Sequence, residues 1–305
     1  MNFLKKTIGK KKTSVANIFL KRKINIGKDA YIRRRLLPNF LPKTLQHENY
    51  LDDIYASALK NKDGAILDVG ANTGQTLLKM LSFDKSRPYF GFEPQCTAAS
   101  SVDNFLIENQ IKNYCILPIA LSDKNESIPL HIRGKGLRAM ASSGASMVEG
   151  FRPENFYGTT KYIYASRGDE VIDSLGIPSI ALIKIDVEGA ELEVIKGLEM
   201  TIDKHRPFIL FEVLHHYLIA TNEALDKESI AFRESRIQEL EELIRTKNYH
   251  VYQIIGNEEI TKVAKIVPEV INDLASTDYI AVPEEKETDF CSSLESTRRL
   301  TSRSA

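Results

Sequence analysis

The chain has 305 residues, of which 43% are hydrophobic and 27% are charged, the balance of an ordinary folded protein. Its three cysteines (Cys96, Cys115 and Cys291) are too far apart to suggest a disulfide framework or a structural zinc site, and they favour a reducing compartment. No apolar run approaches the roughly 18 residues of a membrane-spanning helix, and residues 15–20 are too short for the core of a signal peptide, so we expect a cytoplasmic protein.

The net charge is zero, but the charges are unevenly distributed. Residues 1–37 contain twelve lysines and arginines and one acid, a formal charge of +11 that leaves −11 on the rest of the chain. We delimit a basic N-terminal arm at 1–43. Such an arm could bind a phosphate-rich surface, either anionic membrane or nucleic acid. It could equally be a solvated leader, which is the usual role of a run of charges.

Beyond the arm, strand-like and helix-like segments alternate. Short apolar runs predict strands at 65–70, 88–94, 114–121, 181–189, 207–213, 249–255 and 277–283. Helix-like segments, several with apolar residues at helical spacing, stand at 45–59, 75–82, 97–109, 190–199 and 224–247. This alternation predicts a doubly wound α/β domain with a mostly parallel sheet over 44–283.

Two segments depart from the alternation. Residues 128–165 begin with a strand-like run and continue as a long stretch rich in glycine and serine. Loops of that length are uncommon inside a compact domain and are often functional, so we expect 133–160 to form a mobile cover over the substrate. Residues 284–305 are polar, and we expect a disordered tail.

The first candidate site is the turn Asp68–Gly74, which follows the first strand of the domain. Gly70 and Gly74 allow a tight turn and a close approach of the backbone to a ligand, and the next helix directs free N–H groups to the same place. Asn72 replaces the second glycine of a dinucleotide-binding turn. Asp68 would repel a pyrophosphate but would suit a cationic group. The alternative is a purely structural turn.

Glu93 ends the second strand, at about the spacing at which a carboxylate accepts both hydroxyls of a ribose. Alternatively, Glu93 stabilises the N-terminus of the helix that follows. The glycine turn and Glu93 together favour a nucleoside site at the carboxyl edge of the sheet.

Charged residues also cluster around the end of the fourth strand. Lys184 and Asp186 lie on one face of that strand, and a buried lysine needs an ionic partner. Glu188 and Glu191 follow at the start of the next helix. The cluster could act as a base, hold a divalent metal or cap the helix, and its spacing alone favours the structural role.

Five segments, in order, resemble the FkbM-type methyltransferase family: ILDVGANTGQT (66–76), FEP (92–94), ALSD (120–123), IKIDVEGAELEVIKG (183–197) and FILFEV (208–213). The resemblance covers roughly 64–215. It implies a class I methyltransferase, Rossmann-like fold with a seven-stranded sheet of order 3-2-1-4-5-7-6 and an antiparallel last strand. It also implies methyl transfer from S-adenosylmethionine, commonly to a hydroxyl of a sugar or glycosylated product. One departure is 170–173, which keeps only the aspartate of the family's threonine-leucine-aspartate.

The resemblance also implies which residues line the cofactor. By motif position these are Asp68, Gly70, Asn72, Gly74, Glu93, Leu121 and Ser122. Glu93 would bind the ribose, and Leu121 and Ser122 would lie near the adenine.

A hydroxyl acceptor must also lose its proton to a group within hydrogen-bond reach. The candidate bases are Asp186, Glu212 at the end of the fifth strand, and His215 or His216 just after it. If Asp186, Glu188 and Glu212 converge, they could instead bind Mg²⁺. Lys184 would compete with that cation for Asp186, and Glu188 begins a helix, where acids are favoured anyway. We therefore favour a metal-free route.

Two other functions stay open. A nucleic-acid methyltransferase could hold phosphates with the basic arm, although the rest of the chain is acidic and has no Asn/Asp-Pro-Pro-aromatic loop of the kind that grips a flipped base. A non-catalytic domain could bind a ligand while the arm tethers it to anionic membrane. We favour a sugar or glycosylated acceptor, with no specific nucleic acid and with the arm able to contact an anionic membrane from the cytoplasm.

Overall fold

The computed structural model describes residues 22–25, 31–34, 49–60, 63–133, 144–152, 156–214, 227–256, 259–267 and 276–304. Within the basic arm it describes one antiparallel ribbon of two strands, β1 (Arg22–Asn25) and β2 (Tyr31–Arg34). The rest of the arm lies outside the described residues. None of the described helices has the length and apolar character needed to cross a membrane.

The domain that follows alternates strands and helices largely as predicted. Its first half contains α1 (Asp52–Leu59), β3 (Ala65–Val69), α2 (Gln75–Phe83), β4 (Tyr89–Phe92), α3 (Cys96–Glu108), β5 (Tyr114–Leu117), β6 (Ala120–Ser122) and β7 (Glu126–Ile132). Its second half contains β8 (Thr159–Arg167), α4 (Gly168–Leu175), β9 (Ile180–Ile185), α5 (Glu191–Gly197), α6 (Glu199–His205), β10 (Phe208–Glu212), α7 (Lys227–Thr246), β11 (Tyr249–Ile255), β12 (Glu259–Lys262), β13 (Asp278–Pro283) and α8 (Glu287–Ser304). Short 3-10 helices, 49–51 and 284–286, precede α1 and α8.

The main sheet has eight strands in the order β12-β11-β13-β10-β9-β3-β4-β5. Five neighbouring strands, β5, β4, β3, β9 and β10, run parallel to one another. β13 lies between β10 and β11 and is antiparallel to both. The predicted doubly wound fold, with strand order 3-2-1-4-5-7-6, is therefore confirmed. The addition is β12, which pairs antiparallel with β11 at the edge of the sheet.

Helices cover both faces of this sheet because its strands are apolar on both sides. In β3, for example, Leu67 and Val69 face a core formed with α4, α5, α6 and α7, whereas Ile66 faces a core formed with α1, α2, α3 and α8. The carboxyl ends of β3, β4, β9 and β10 consequently meet at one edge, where a doubly wound fold binds its ligand.

The prediction of a single strand over 114–121 is wrong. The chain leaves the main sheet at Pro118, which has no N–H to donate to a neighbouring strand. β6 then pairs with β8 in a separate three-stranded sheet of order β6-β8-β7. This small sheet occupies part of the segment predicted to be irregular. Residues 134–143 and 153–155 lie outside the described residues, so the expected mobile cover stays a prediction.

The prediction of a disordered tail is also wrong, because α8 packs on the main sheet. Phe290 is 1% exposed, and its ring centroid lies 5.5 Å from that of Phe208 and 6.2 Å from that of Tyr252. Cys291 and Leu294 pack against the same core. One apolar stripe on an otherwise polar helix is enough to hold the segment in place.

Candidate active site

The glycine turn brings the ends of three strands together. Gly70 has a φ of +88°, and a Cβ atom there would lie 1.9 Å from the carbonyl oxygen of Asp186, so only glycine fits. The N–H groups of Gly70 and Ala71 donate to the carbonyl oxygen of Phe92 at 2.9 and 3.1 Å. The N–H of Asp186 donates to Val69 at 2.9 Å. The turn is therefore fixed to β4 and to the segment after β9.

Glu93 holds the same turn from the end of β4. Its two carboxylate oxygens accept hydrogen bonds from the N–H groups of Asn72, at 2.8 Å, and Gln95, at 2.7 Å. Burial raises the pKa of Glu93 to about 7, against the effect of these hydrogen bonds. Asn72 has a φ of +47°, which an asparagine tolerates better than most residues. Glu93 is 3% exposed in this conformation, so its bond to a ribose stays a prediction.

The carboxylate of Asp68 is directed into the core beneath the turn. Asp68 has no solvent-exposed area, and its Oδ2 accepts a hydrogen bond from the hydroxyl of Tyr89. Burial, and then the charge of Asp68, raise the pKa of Tyr89 well above its usual value. Tyr89 was not among the predicted site residues, although an aspartate inside a fully buried strand signals a buried partner. Asp68 supports the turn from below and is not part of its exposed surface.

Leu121 and Ser122 are buried as well, at 1% and 4% exposure. They belong to β6, which leaves the main sheet, and Leu121 packs in the core on the α5 side. A Cβ on Gly197 would lie 1.9 Å from the carbonyl oxygen of Ser122, so α5 rests directly on this strand. Leu121 and Ser122 are therefore buried in this conformation, and their contacts with the adenine stay a prediction.

The start of α2 suits an anionic group of a ligand. Gly74, with a φ of +88°, precedes the helix, no side chain caps it, and its first turn contains no acid. The first N–H groups of a helix have no partner within the helix and carry partial positive charge. A carboxylate placed at this end of the turn would receive several hydrogen bonds.

The acidic cluster lies beside the turn, at the ends of β9 and β10. Asp186 forms an ion pair with the buried Lys184, whose Nζ lies 3.0 Å from Oδ2. About a third of the Asp186 side chain (34%) stays exposed. Glu212 accepts a hydrogen bond from Thr277 at 3.1 Å. Burial, followed by the charges of Asp186 and other carboxylates, raises the pKa of Glu212 well above its usual value. The residues before Asp186 and Glu212 are Ile185 and Phe211, which pair in adjacent parallel strands, so the two acids lie at neighbouring strand ends.

Glu188 and Glu191 contact different partners within this cluster. Glu188, in a left-handed conformation with a φ of +54°, pairs with Arg152 at 2.6 Å. Glu191 accepts a hydrogen bond from the N–H of Gly189 at 3.1 Å, and burial raises its pKa to about 7. Glu191 therefore holds the backbone turn that precedes its own helix. Arg152 was not among the predicted site residues, because it lies in a segment with no regular pattern.

A cavity adjoins the cluster between α5 and α7. Its lining includes Phe151, Gly189, Val213, Leu214 and Arg233. The ring of Phe151 rests on Gly189, where a Cβ would approach it to 2.4 Å. Since Gly189 and Val213 follow β9 and β10, the cavity opens at the same sheet edge as the turn and the acids.

The family of the chain follows from its match to known sequences. The model of the methyltransferase FkbM domain matches residues 68–251, more than half of the chain, and this range includes the glycine turn, Glu93 and the acidic cluster. The chain belongs to the FkbM methyltransferase family. It is also 29% identical over 159 residues to the 2-O-methyltransferase NoeI of Sinorhizobium fredii (strain NBRC 101917 / NGR234). That match covers 49% of this chain and 63% of the relative.

Solved methyltransferases are similar only at a distance. A methyltransferase FkbM from Methylobacillus flagellatus KT has a TM-score of 0.46 and 15% identity, covering 76% of this chain and 47% of that one. A putative O-methyltransferase from Klebsiella pneumoniae has a TM-score of 0.43 and 12% identity, covering 81% and 91%. At these values the solved structures add nothing to the family assignment.

Two further expectations for this FkbM-family chain concern the histidine bases and a metal ion. His215 and His216 lie outside the described residues, so their role as bases stays a prediction. Within the described ranges, no three His, Cys, Asp or Glu side chains are arranged to hold a metal ion. The choice between the metal-free and Mg²⁺ routes is therefore left to experiment.

Proposed function

We propose that the chain transfers a methyl group from S-adenosylmethionine to a hydroxyl group of a sugar or glycosylated acceptor. The observation that supports this best is the family match over 68–251, which spans both the glycine turn and the acidic cluster. The name of the relative, a 2-O-methyltransferase, favours oxygen as the acceptor atom. The expectation that the acceptor is a sugar comes from the family resemblance.

The turn fits the cofactor in shape and in charge. Backbone N–H groups at the start of α2 would hold its carboxylate, and the carboxylate of Glu93 would accept the ribose hydroxyls. Gly70, Asn72 and Gly74 would form the wall between these two groups. Asp68 would act from behind it, because its carboxylate is buried and bound to Tyr89, and Leu121 and Ser122 would lie near the adenine. When bound, S-adenosylmethionine supplies a methyl group already activated by its sulfonium.

Since the methyl group is activated, the protein mainly has to align the acceptor and accept its proton. Asp186 is the best candidate base. One of its oxygens binds Lys184, which orients the carboxylate, and the side chain stays partly exposed. Glu212 suits this role less well, because its raised pKa favours the protonated form. Glu212 would instead donate a hydrogen bond or hold the acceptor.

The cofactor site is tested with Glu93→Ala. The variant should bind S-adenosylmethionine about 1–3 kcal/mol more weakly in calorimetry, because two hydroxyls lose a charged acceptor and the turn loses its tie to β4. Glu126→Gln, at an exposed position on β7, is the matched control. Unchanged affinity in Glu93→Ala would contradict the placement of the cofactor.

The base is tested with Asp186→Asn, assayed for methyl transfer and for cofactor affinity. Loss of a general base should lower kcat by roughly 10²–10⁴-fold with cofactor affinity unchanged, while Asp103→Asn, at an exposed position on α3, should behave as wild type. Full activity of Asp186→Asn would exclude it as the base. A parallel assay in EDTA should leave activity intact, and activity restored only by Mg²⁺ would establish the metal route instead.

A further inference from the structure

Arg233 is a buried cation at the acceptor side of the site. It lies on α7 and is 3% exposed. Its guanidinium carbon lies 4.5 Å from the centroid of the Phe151 ring, and one of its nitrogens donates to the Phe151 carbonyl oxygen. Neither contact neutralises its charge.

The neighbouring carboxylates are paired with other groups. Glu188 binds Arg152 at 2.6 Å, and Glu193 binds Arg236 at 2.5 Å. No carboxylate of the described ranges forms an ion pair with Arg233, and its Nε is buried without a hydrogen-bond partner. Burial and then the like charge of Arg152 lower the pKa of Arg233 to about 10. A buried charge left in this state costs stability, which a bound anion would restore.

A second polar group points to the same place. The hydroxyl of Tyr157 is buried and, although Ser146 is near, it makes no well-formed hydrogen bond. The guanidinium carbon of Arg152 lies 5.9 Å from the centroid of the Phe151 ring, which Arg233 also contacts, and 4.6 Å from that of Phe156, whose ring packs against Tyr157 at 5.3 Å. Both arginines lower the pKa of the Tyr157 hydroxyl against the larger effect of burial. A hydroxyl and two guanidinium groups are donors of the kind that bind anionic oxygens.

The position of Arg233 relates it to the reaction. It lines the cavity together with Gly189 and Val213, which follow β9 and β10, the strands that place Asp186 and Glu212. Among the described residues that line this cavity, the one acid is Glu191, which already accepts a hydrogen bond from the N–H of Gly189. A group bound at Arg233 would therefore be part of the acceptor.

We propose that Arg233, with Tyr157, binds an anionic group of the acceptor, so that the substrate is an acidic sugar carrying a carboxylate, a sulfate ester or a phosphate ester. This inference deepens the proposed function and rests on it for the word acceptor. The anion site itself depends only on the contacts of Arg233 and Tyr157. Arg233 provides the fixed charge, and the flat guanidinium selects oxyanions that accept two parallel hydrogen bonds.

The test is calorimetric binding to the full chain, with glucuronate, glucose 6-sulfate, glucose 6-phosphate and neutral glucose as probes. We expect at least one anionic sugar to bind about tenfold or more tightly than glucose, and the tightest one identifies the anionic group. Arg233→Gln should remove this preference. Arg245→Gln, on the same helix but paired with Glu241, should keep it. Equal binding of charged and neutral sugars by the wild type would overturn the proposal.

Two further measurements keep the result interpretable. If Arg233→Gln does not fold, Tyr157→Phe, which keeps the ring, should still weaken binding of the preferred anionic sugar several-fold, and unchanged binding would overturn the proposal. Methyl transfer and S-adenosylmethionine binding are measured separately. Binding of acidic sugars without any methyl transfer would refute the proposed function and leave the anion site standing, while transfer to neutral sugars alone would do the reverse.

Discussion

Replacement of Gly70 by alanine should destabilise the domain more than any other single methyl group added at the turn. Left-handed backbone costs a residue with a Cβ about 1–2 kcal/mol. The new Cβ would also lie 1.9 Å from the carbonyl oxygen of Asp186, far inside the 3.0 Å that such contacts require. Because that oxygen belongs to the backbone after β9, the strand end must move, which adds about 1–3 kcal/mol. The free energy of unfolding should fall by about 2–5 kcal/mol.

Gly176→Ala is the matched control for this prediction. Gly176 also has a positive φ, +61°, but a Cβ there would meet nothing within 4 Å. The free energy of unfolding of Gly176→Ala should therefore fall only by the cost of the left-handed backbone, about 1–2 kcal/mol. Urea unfolding of both variants at one pH measures the difference. If Gly70→Ala is no less stable than Gly176→Ala, the backbone after β9 does not press against the turn, and the geometry of the candidate site is refuted.

Two further predictions concern residues outside the turn. Burial raises the pKa of Glu191 from 4.5 to about 7. The contribution of Glu191 to stability is therefore complete below pH 4.5 and is lost as the pH rises through 7. Glu191→Gln, which keeps the bond to Gly189, should remove up to about 3 kcal/mol of the decline in stability between pH 5 and pH 8. Phe290→Ala should lower the free energy of unfolding by about 3–5 kcal/mol, against less than about 0.5 kcal/mol for the exposed Met200→Ala. A wild-type protein whose urea stability is flat over that pH range, or a stable Phe290→Ala variant, would contradict these statements.

The features that the sequence predicted well are those carried by neighbouring residues. Gly70 and Glu93 are read from short motifs at strand ends, and parallel strands bring such ends to one edge of a sheet. Asp186 and Glu212 meet for the same reason. Their placement required no knowledge of side-chain packing.

The features that were missed depend on contacts between distant segments. Arg152 and Arg233 read as ordinary surface arginines, because nothing in the local sequence shows that Phe151 will lie against Gly189 and bury them. Other signals were present and unused. Pro118 marks the point where the third strand must leave the sheet, and the apolar residues of α8, from Phe290 to Leu294, stand at helical spacing.

The position of β13 has a consequence for the synthesis of this protein. This strand comes after all the others in the chain, yet it lies between β10 and β11, with Ile209 opposite Ala281. Until it emerges from the ribosome, β10 and β11 each present an unpaired strand edge, the kind of surface that associates with other chains. Closing such a distant pairing is slow. We therefore expect incomplete chains that stop before β13 to aggregate, and chaperone capture to be strongest at that stage of translation.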